Sequence, residues 1–194
     1  MEQQAAASCA PPPAPVPLAW AVVPMDFTVV KKGAEMVMHD AAGSLAFRVA
    51  AAAAAAGAGG GGGTALLDAA GGVLVTVRSS SEGEWQAFNR NSLEQREIIL
   101  NAKVISASSS RKEVHVFIPP RSTFDDPKPN FRLIGSTFRR ACTIIKGNSI
   151  VAQTNLLYKL KKAIYSRRKF RVTIYPGNDN VLIMAMIMAF YVEK

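Results

Sequence analysis

The sequence predicts a mainly β chain, a succession of antiparallel hairpins organised around one buried C-terminal helix. Three observations lead there. From Trp20 onward, short runs rich in Val, Ile, Phe and Thr are interrupted at intervals of roughly 8 to 12 residues by Gly, Asn, Asp or Ser, the rhythm of an all-β chain. A turn pattern recurs between such runs. Finally, the twelve residues Val181–Val192, VLIMAMIMAFYV, hold no charge and no turn former.

In chain order, residues 1–19 are rich in Ala and Pro. Proline withholds backbone donors and alanine buries too little surface to offset ordering entropy, so this stretch is expected to be a disordered tail outside a single domain spanning 20–194. Strands are expected over 26–30, 35–39, 45–49, 65–67, 73–78, 84–88, 97–104, 114–118, 131–134, 140–145, 149–154 and 170–175. Alternation gives several of them an inside and an outside: Phe170, Val172 and Ile174 oppose Arg171, Thr173 and Tyr175, and Val73, Val75 and Val77 oppose Leu74, Thr76 and Arg78.

The recurring turn reads His39-Asp40-Ala41-Ala42-Gly43-Ser44-Leu45, then Leu67-Asp68-Ala69-Ala70-Gly71-Gly72-Val73, and more loosely Ile145-Lys146-Gly147-Asn148-Ser149. Asp accepts hydrogen bonds from backbone two or more residues on and Gly supplies positive φ, so each unit closes a hairpin. Lys31-Lys32-Gly33 and Arg111-Lys112-Glu113 are read as two further connections. Residues 50–63 are an Ala run followed by a Gly run. They satisfy a GxGxxG pattern trivially, but a strand-like stretch follows where a phosphate loop needs a helix, so the segment is expected to be a low-complexity loop.

The closing apolar run lacks the polar stripe of a surface helix and must be covered on every face. At about 1.5 Å per residue it spans about 18 Å, short of the roughly 30 Å hydrocarbon core, so a core helix is expected and no transmembrane span. Pro176 and Gly177 end the preceding strand. Asp179 or Asn180 is expected to cap the helix.

The charge of +9 is unevenly placed. From Pro127 to Asn178 there are twelve basic residues and no Asp or Glu, whereas all fourteen acidic residues lie elsewhere. The densest part, Lys159, Lys161, Lys162, Arg167, Arg168, Lys169 and Arg171, has no carboxylate near it in sequence and is the expected contact for an anionic partner. A solvated basic surface with no dedicated ligand is the competing reading.

Catalytic, cofactor and metal sites are not expected. His39 and His115 sit in separate strand patterns without Cys, Asp or Glu at ligand or relay spacing, the serines of 79–81 and 106–110 look like turn residues, and Asp125-Asp126 falls in a Pro-rich loop. Cys9 and Cys142 make no disulfide framework, which fits a reducing compartment, and prolines interrupt the N-terminus where a secretory signal needs a continuous apolar stretch. A monomer in the cytoplasm, at a membrane surface or in the nucleus is expected.

A resemblance adds to this reading. Phe27-Thr28-Val29-Val30-Lys31-Lys32, the paired turns ending at Gly43 and Gly71, Trp85 with Phe88, Gly135-Ser136 through Arg140-Ala141-Cys142-Thr143-Ile144, Ile150-Val151-Ala152-Gln153, and Tyr175-Pro176-Gly177-Asn178-Asp179 before the apolar run resemble the LURP-one-related family of the Tubby C-terminal-like superfamily. The resemblance implies a closed antiparallel barrel of about twelve strands around a central C-terminal hydrophobic helix, and no enzymatic activity. It also implies kinship with phospholipid scramblases and with tubby-like, membrane-tethered transcription regulators that bind phosphoinositides, and a role in plant defence. An anionic phospholipid, a phosphoinositide in particular, is therefore the expected partner. A nucleic-acid-associated regulator, a scaffold with no lipid ligand and a lipid scramblase are the alternatives. Against nucleic acid, the basic stretch has few interleaved aromatics beyond Tyr158, Tyr165 and Phe170 and no helix-turn-helix, zinc-finger or RNP signature.

Overall fold

The computed structural model describes residues 23–52, 63–89, 97–108, 110–119, 128–157 and 168–191. The strands are β1 (Met25–Lys32), β2 (Glu35–His39), β3 (Leu45–Ala52), β4 (Gly63–Asp68), β5 (Val73–Ser81), β6 (Glu84–Asn89), β7 (Ile98–Ala107), β8 (Lys112–Phe117), β9 (Phe131–Ser136), β10 (Ala141–Lys146), β11 (Ser149–Leu156) and β12 (Lys169–Ile174), followed by the helix α1 (Asn180–Tyr191). Each strand pairs antiparallel with its neighbours in sequence, and β12 returns to β1 through Phe27↔Val172 and Val29↔Phe170. A closed barrel leaves no strand edge unpaired.

Alternation decides what faces inward. Phe27 and Val29, Met36 and Met38, Val114 and Val116, and Phe170, Val172 and Ile174 are all buried, while the residues between them are partly or fully exposed. Together with Leu66, Leu100, Leu133 and Ile144 they form the wall that α1 fills. Ile183 to Tyr191 are all buried, so the uniformly apolar run is surrounded as its composition requires. Val181 and Leu182, at its start, are half-buried.

The two copies of the recurring turn are built alike. Asp40 Oδ1 accepts the Ser44 N–H at 2.8 Å and Asp68 Oδ1 accepts the Gly72 N–H at 2.7 Å, with Gly43 and Gly71 at φ 84° and 88°. In both, the strand register shifts just before the turn, at Met38/His39 and Leu66/Leu67. Asp179 caps the helix, its Oδ1 accepting the N–H groups of Val181 (2.8 Å) and Leu182 (3.2 Å).

Several details differ from the sequence reading: Lys31 and Lys32, expected in a connection, end β1, Ser79–Ser81, expected in a turn, end β5, and residues 50–52 and 63, expected in a loop, lie in β3 and β4. Lys112, expected in a connection, is a strand residue that faces inward and is 4% exposed. Arg140, expected to open a strand, stands before β10 in a left-handed turn conformation, φ 52°. The expectations for residues 1–19 and for most of the Ala/Gly segment 50–63 lie outside the described residues. Around that segment, β3 and β4 pair through Ala52↔Gly63.

The register also fixes which connections share an end of the barrel. β1 runs from the start of the helix, where Asn180 Nδ2 lies 3.6 Å from the Met25 sulfur, to its finish, where Lys31 Nζ lies 2.9 Å from the Tyr191 carbonyl. Because all neighbours are antiparallel, the β1–β2, β3–β4, β5–β6, β7–β8, β9–β10 and β11–β12 connections lie at the helix's C-terminal end.

Candidate functional site: the cationic mouth of the barrel

An α-helix ends in carbonyls with no intrahelical partner and carries about half a negative charge there. The last turn of α1 contains no basic residue of its own to balance it. The strands supply the cations instead. Lys31 continues the inward series Phe27, Val29 and donates to the Tyr191 carbonyl at 2.9 Å, and Lys112 begins the inward series Val114, Val116 and donates to the Phe190 carbonyl at 3.4 Å. The Lys112 ammonium also lies 4.8 Å from the Trp85 ring centroid and 5.3 Å from that of Phe190, a cation–π seat that offsets part of its desolvation. Burial, and secondarily the nearby Arg140 charge, hold the Lys31 ammonium below its ordinary pKa.

Arg140 completes the ring, with its guanidinium 5.4 Å from the Tyr191 ring centroid. Thr154 Oγ1 donates to the Arg140 carbonyl at 3.0 Å and lies 2.6 Å from the Tyr191 hydroxyl. A threonine has one hydroxyl proton, so the Tyr191 hydroxyl is the donor in the second bond. Burial raises the Tyr191 pKa, reinforced by Cys142, and burial pushes the Cys142 thiol up to about 12. Both groups keep their protons at neutral pH, so neither is a ready base or nucleophile.

The exposed Glu35 and Glu82 stand at this end, and three cations gather there where the helix carries a partial charge of about −0.5. The rim adds further cations: Arg111, Arg139, Arg168 and Lys169 are exposed at the same end. The arrangement can hold an anionic group or surface, and the buried Lys112 with the half-buried Lys31 and Arg140 fix the helix end against which the rim charges are displayed.

Of the seven basic residues singled out from the sequence, Lys159, Lys161, Lys162 and Arg167 lie outside the described residues. Arg168 and Lys169 stand at the start of β12, where the Arg168 carbonyl accepts the Lys31 N–H at 2.7 Å and that of Lys169 accepts the Leu157 N–H at 3.4 Å. Arg171 departs from expectation. It has a carboxylate partner, Asp26, at 3.7 Å across the β1–β12 ladder, because barrel closure brings the two ends of the chain together. His115 also differs: Nε2 is 3.1 Å from Glu113 Oε1, two residues back on the same strand face. Its cross-strand neighbours are Lys103 and Arg132.

Lys31, Lys112 and Arg140 were missed as a group: both lysines were read as turn residues, and only the inward series of β1 and β8, extended by one step, would have placed them inside. Among the described residues there is no group of three or more His, Cys, Asp or Glu placed to hold a metal ion. No helix in them is long and apolar enough to cross a membrane.

Fold and mouth together define a helix-filled antiparallel β-barrel with a positively charged end. The profile of the LURP-one-related family matches residues 25–191, and the chain belongs to that family. It is similar to two Arabidopsis thaliana proteins: LURP-one-related 7, 34% identical over 127 residues (65% of this chain, 67% of that one), and LURP-one-related 15, 28% identical over 197 residues (92% and 88%). Among solved structures it is similar to an Arabidopsis thaliana protein determined by X-ray crystallography, with a TM-score of 0.61, 28% identity and coverage of 87% of this chain and 90% of the other.

Proposed function

We propose that this chain is a non-catalytic binding module that docks the cationic mouth of its barrel on an anionic, phosphate-bearing membrane surface, with phosphoinositide as the favoured lipid. The observation that carries this is convergence: Lys31, Lys112 and Arg140 ring the helix terminus, while Arg111, Arg139, Arg168 and Lys169 are exposed at the same end. Lys159, Lys161, Lys162 and Arg167, outside the described residues, are included in the proposed contact on their charge pattern in the sequence alone. The resemblance to the Tubby C-terminal-like superfamily favours the same partner and a regulatory role in plant defence.

Each basic residue near an anionic surface contributes about 1 kcal/mol. Changing Arg111, Arg139, Arg168 and Lys169 to Gln removes about 4 kcal/mol, an expected loss of about three orders of magnitude in vesicle affinity at low salt. Sedimentation with phosphoinositide-containing and with neutral vesicles, each over a salt series and beside a duplex DNA arm, tests this. Salt-sensitive binding to the anionic vesicles, lost in the variant, is expected. Binding to DNA with none to vesicles transfers the mouth to nucleic acid, and binding to neither removes the reading.

A further inference from the structure

We infer that the β9–β10 turn is the part of the mouth that enters the bilayer, with Phe138 as its apolar anchor; this rests on the proposed docking on an anionic membrane. Phe138 is a large apolar side chain, 57% exposed, at a turn of an otherwise well-buried barrel. The turn is not a slack connection. The Ser136 hydroxyl accepts the Arg139 N–H at 3.3 Å, the Arg140 carbonyl is held by Thr154 at 3.0 Å, and Arg140 keeps the left-handed φ of 52° that a side chain as large as arginine seldom adopts. At its base Gly135 lets β10 approach so closely that a Cβ there would stand 2.1 Å from the Ala141 carbonyl oxygen. The fold therefore over-determines a turn whose product is one exposed phenylalanine beside an exposed arginine.

The surroundings select the occupant. Arg139 adjoins Phe138, and Arg111 is exposed at the adjacent β7–β8 connection of the same end. On β7, Ile105 is a second exposed apolar side chain, 50%, beside the register shift between Val104 and Ser106. Apolar tips flanked by guanidinium groups match the boundary between lipid headgroups and acyl chains: the ring takes the apolar layer and the arginines stay among the phosphates. The shared chemistry is that of an anionic bilayer surface.

Two measurements test this. The first compares vesicle sedimentation of the parent, Phe138→Ser and Ile150→Ser. Ile150 is an equally apolar control, 47% exposed on the β10–β11 hairpin at the opposite end. With phosphoinositide-containing vesicles, Phe138→Ser is expected to lose about tenfold in affinity and Ile150→Ser nothing. The Phe138 loss should persist in added salt, which screens charge contacts and leaves apolar burial intact. The second places an environment-sensitive fluorophore at Phe138→Cys, and separately at Ile150→Cys, in a Cys9→Ser background that leaves only the buried Cys142 behind. A blue shift on adding anionic vesicles, quenched by nitroxide lipids, is expected at position 138 alone. If the parent binds but Phe138→Ser binds equally well and the label at 138 does not respond, the insertion is overturned and the docking stands. If the parent does not bind anionic vesicles, both are overturned.

Discussion

Replacing Gly135 by alanine tests the close approach of β9 to β10. A Cβ at this position meets the Ala141 carbonyl oxygen at 2.1 Å and the Cys142 Cα at 2.6 Å, both backbone atoms of the strand paired with it through Cys142↔Gly135 and Ala141↔Ser136. Neither can swing aside as a side chain would. To restore a tolerable 3.0 Å separation the two strands must part by about 0.9 Å. Overpacking of this kind costs about 1–3 kcal/mol, and one weakened ladder hydrogen bond adds about 1 kcal/mol. The expected loss is therefore about 2–4 kcal/mol, or a thermal midpoint lower by roughly 10 °C for a domain of this size. Urea denaturation followed by far-UV circular dichroism, with parent and variant at the same pH and ionic strength, measures it. A loss below about 1 kcal/mol would show that β9 and β10 do not cross this closely, and would undermine the rigid turn on which the Phe138 argument depends.

Met186, fully buried at the middle of α1, should tolerate nothing polar: Met186→Asp is expected to cost at least about 4 kcal/mol or to abolish soluble expression, and a chain ending at Asn180 to lose its near-UV dichroism. An unchanged thermal midpoint in either case refutes the helix-filled barrel. At alkaline pH, stability should fall. The folded Cys142 thiol holds its proton up to about 12 while the unfolded one releases it near 9, so its contribution is complete below pH 9 and is lost as pH rises toward 12. At about 1.4 kcal/mol per pH unit the full loss approaches about 4 kcal/mol, with Tyr191 adding to it above pH 10 and the lowered pKa of Lys31 opposing it. Cys142→Ala should flatten the decline in urea midpoint between pH 9 and 12, and an unchanged slope would count against the thiol's part in it.

Whatever depends on local pattern was legible in the residues alone. Strand alternation, the Asp and Gly of the repeated turns, and the uniform apolarity of Val181–Val192 each constrain neighbouring residues directly. Their elements accordingly appear within a few residues of where they were read, β2 with the same bounds and α1 starting at Asn180. Barrel closure was carried by the family resemblance, since nothing in a strand's own residues names its distant partner.

Which charges meet became visible with the folded chain. Lys31 and Lys112 read locally as solvated turn residues, and they become helix caps because antiparallel pairing carries both to the end where α1 finishes, 160 and 78 residues away along the chain. The same closure gives Arg171 a carboxylate that the stretch from Pro127 to Asn178 lacks. Hydropathy is set residue by residue and can be read so. Electrostatic pairing acts through space over a few ångströms, and those distances exist only once the chain has closed on itself.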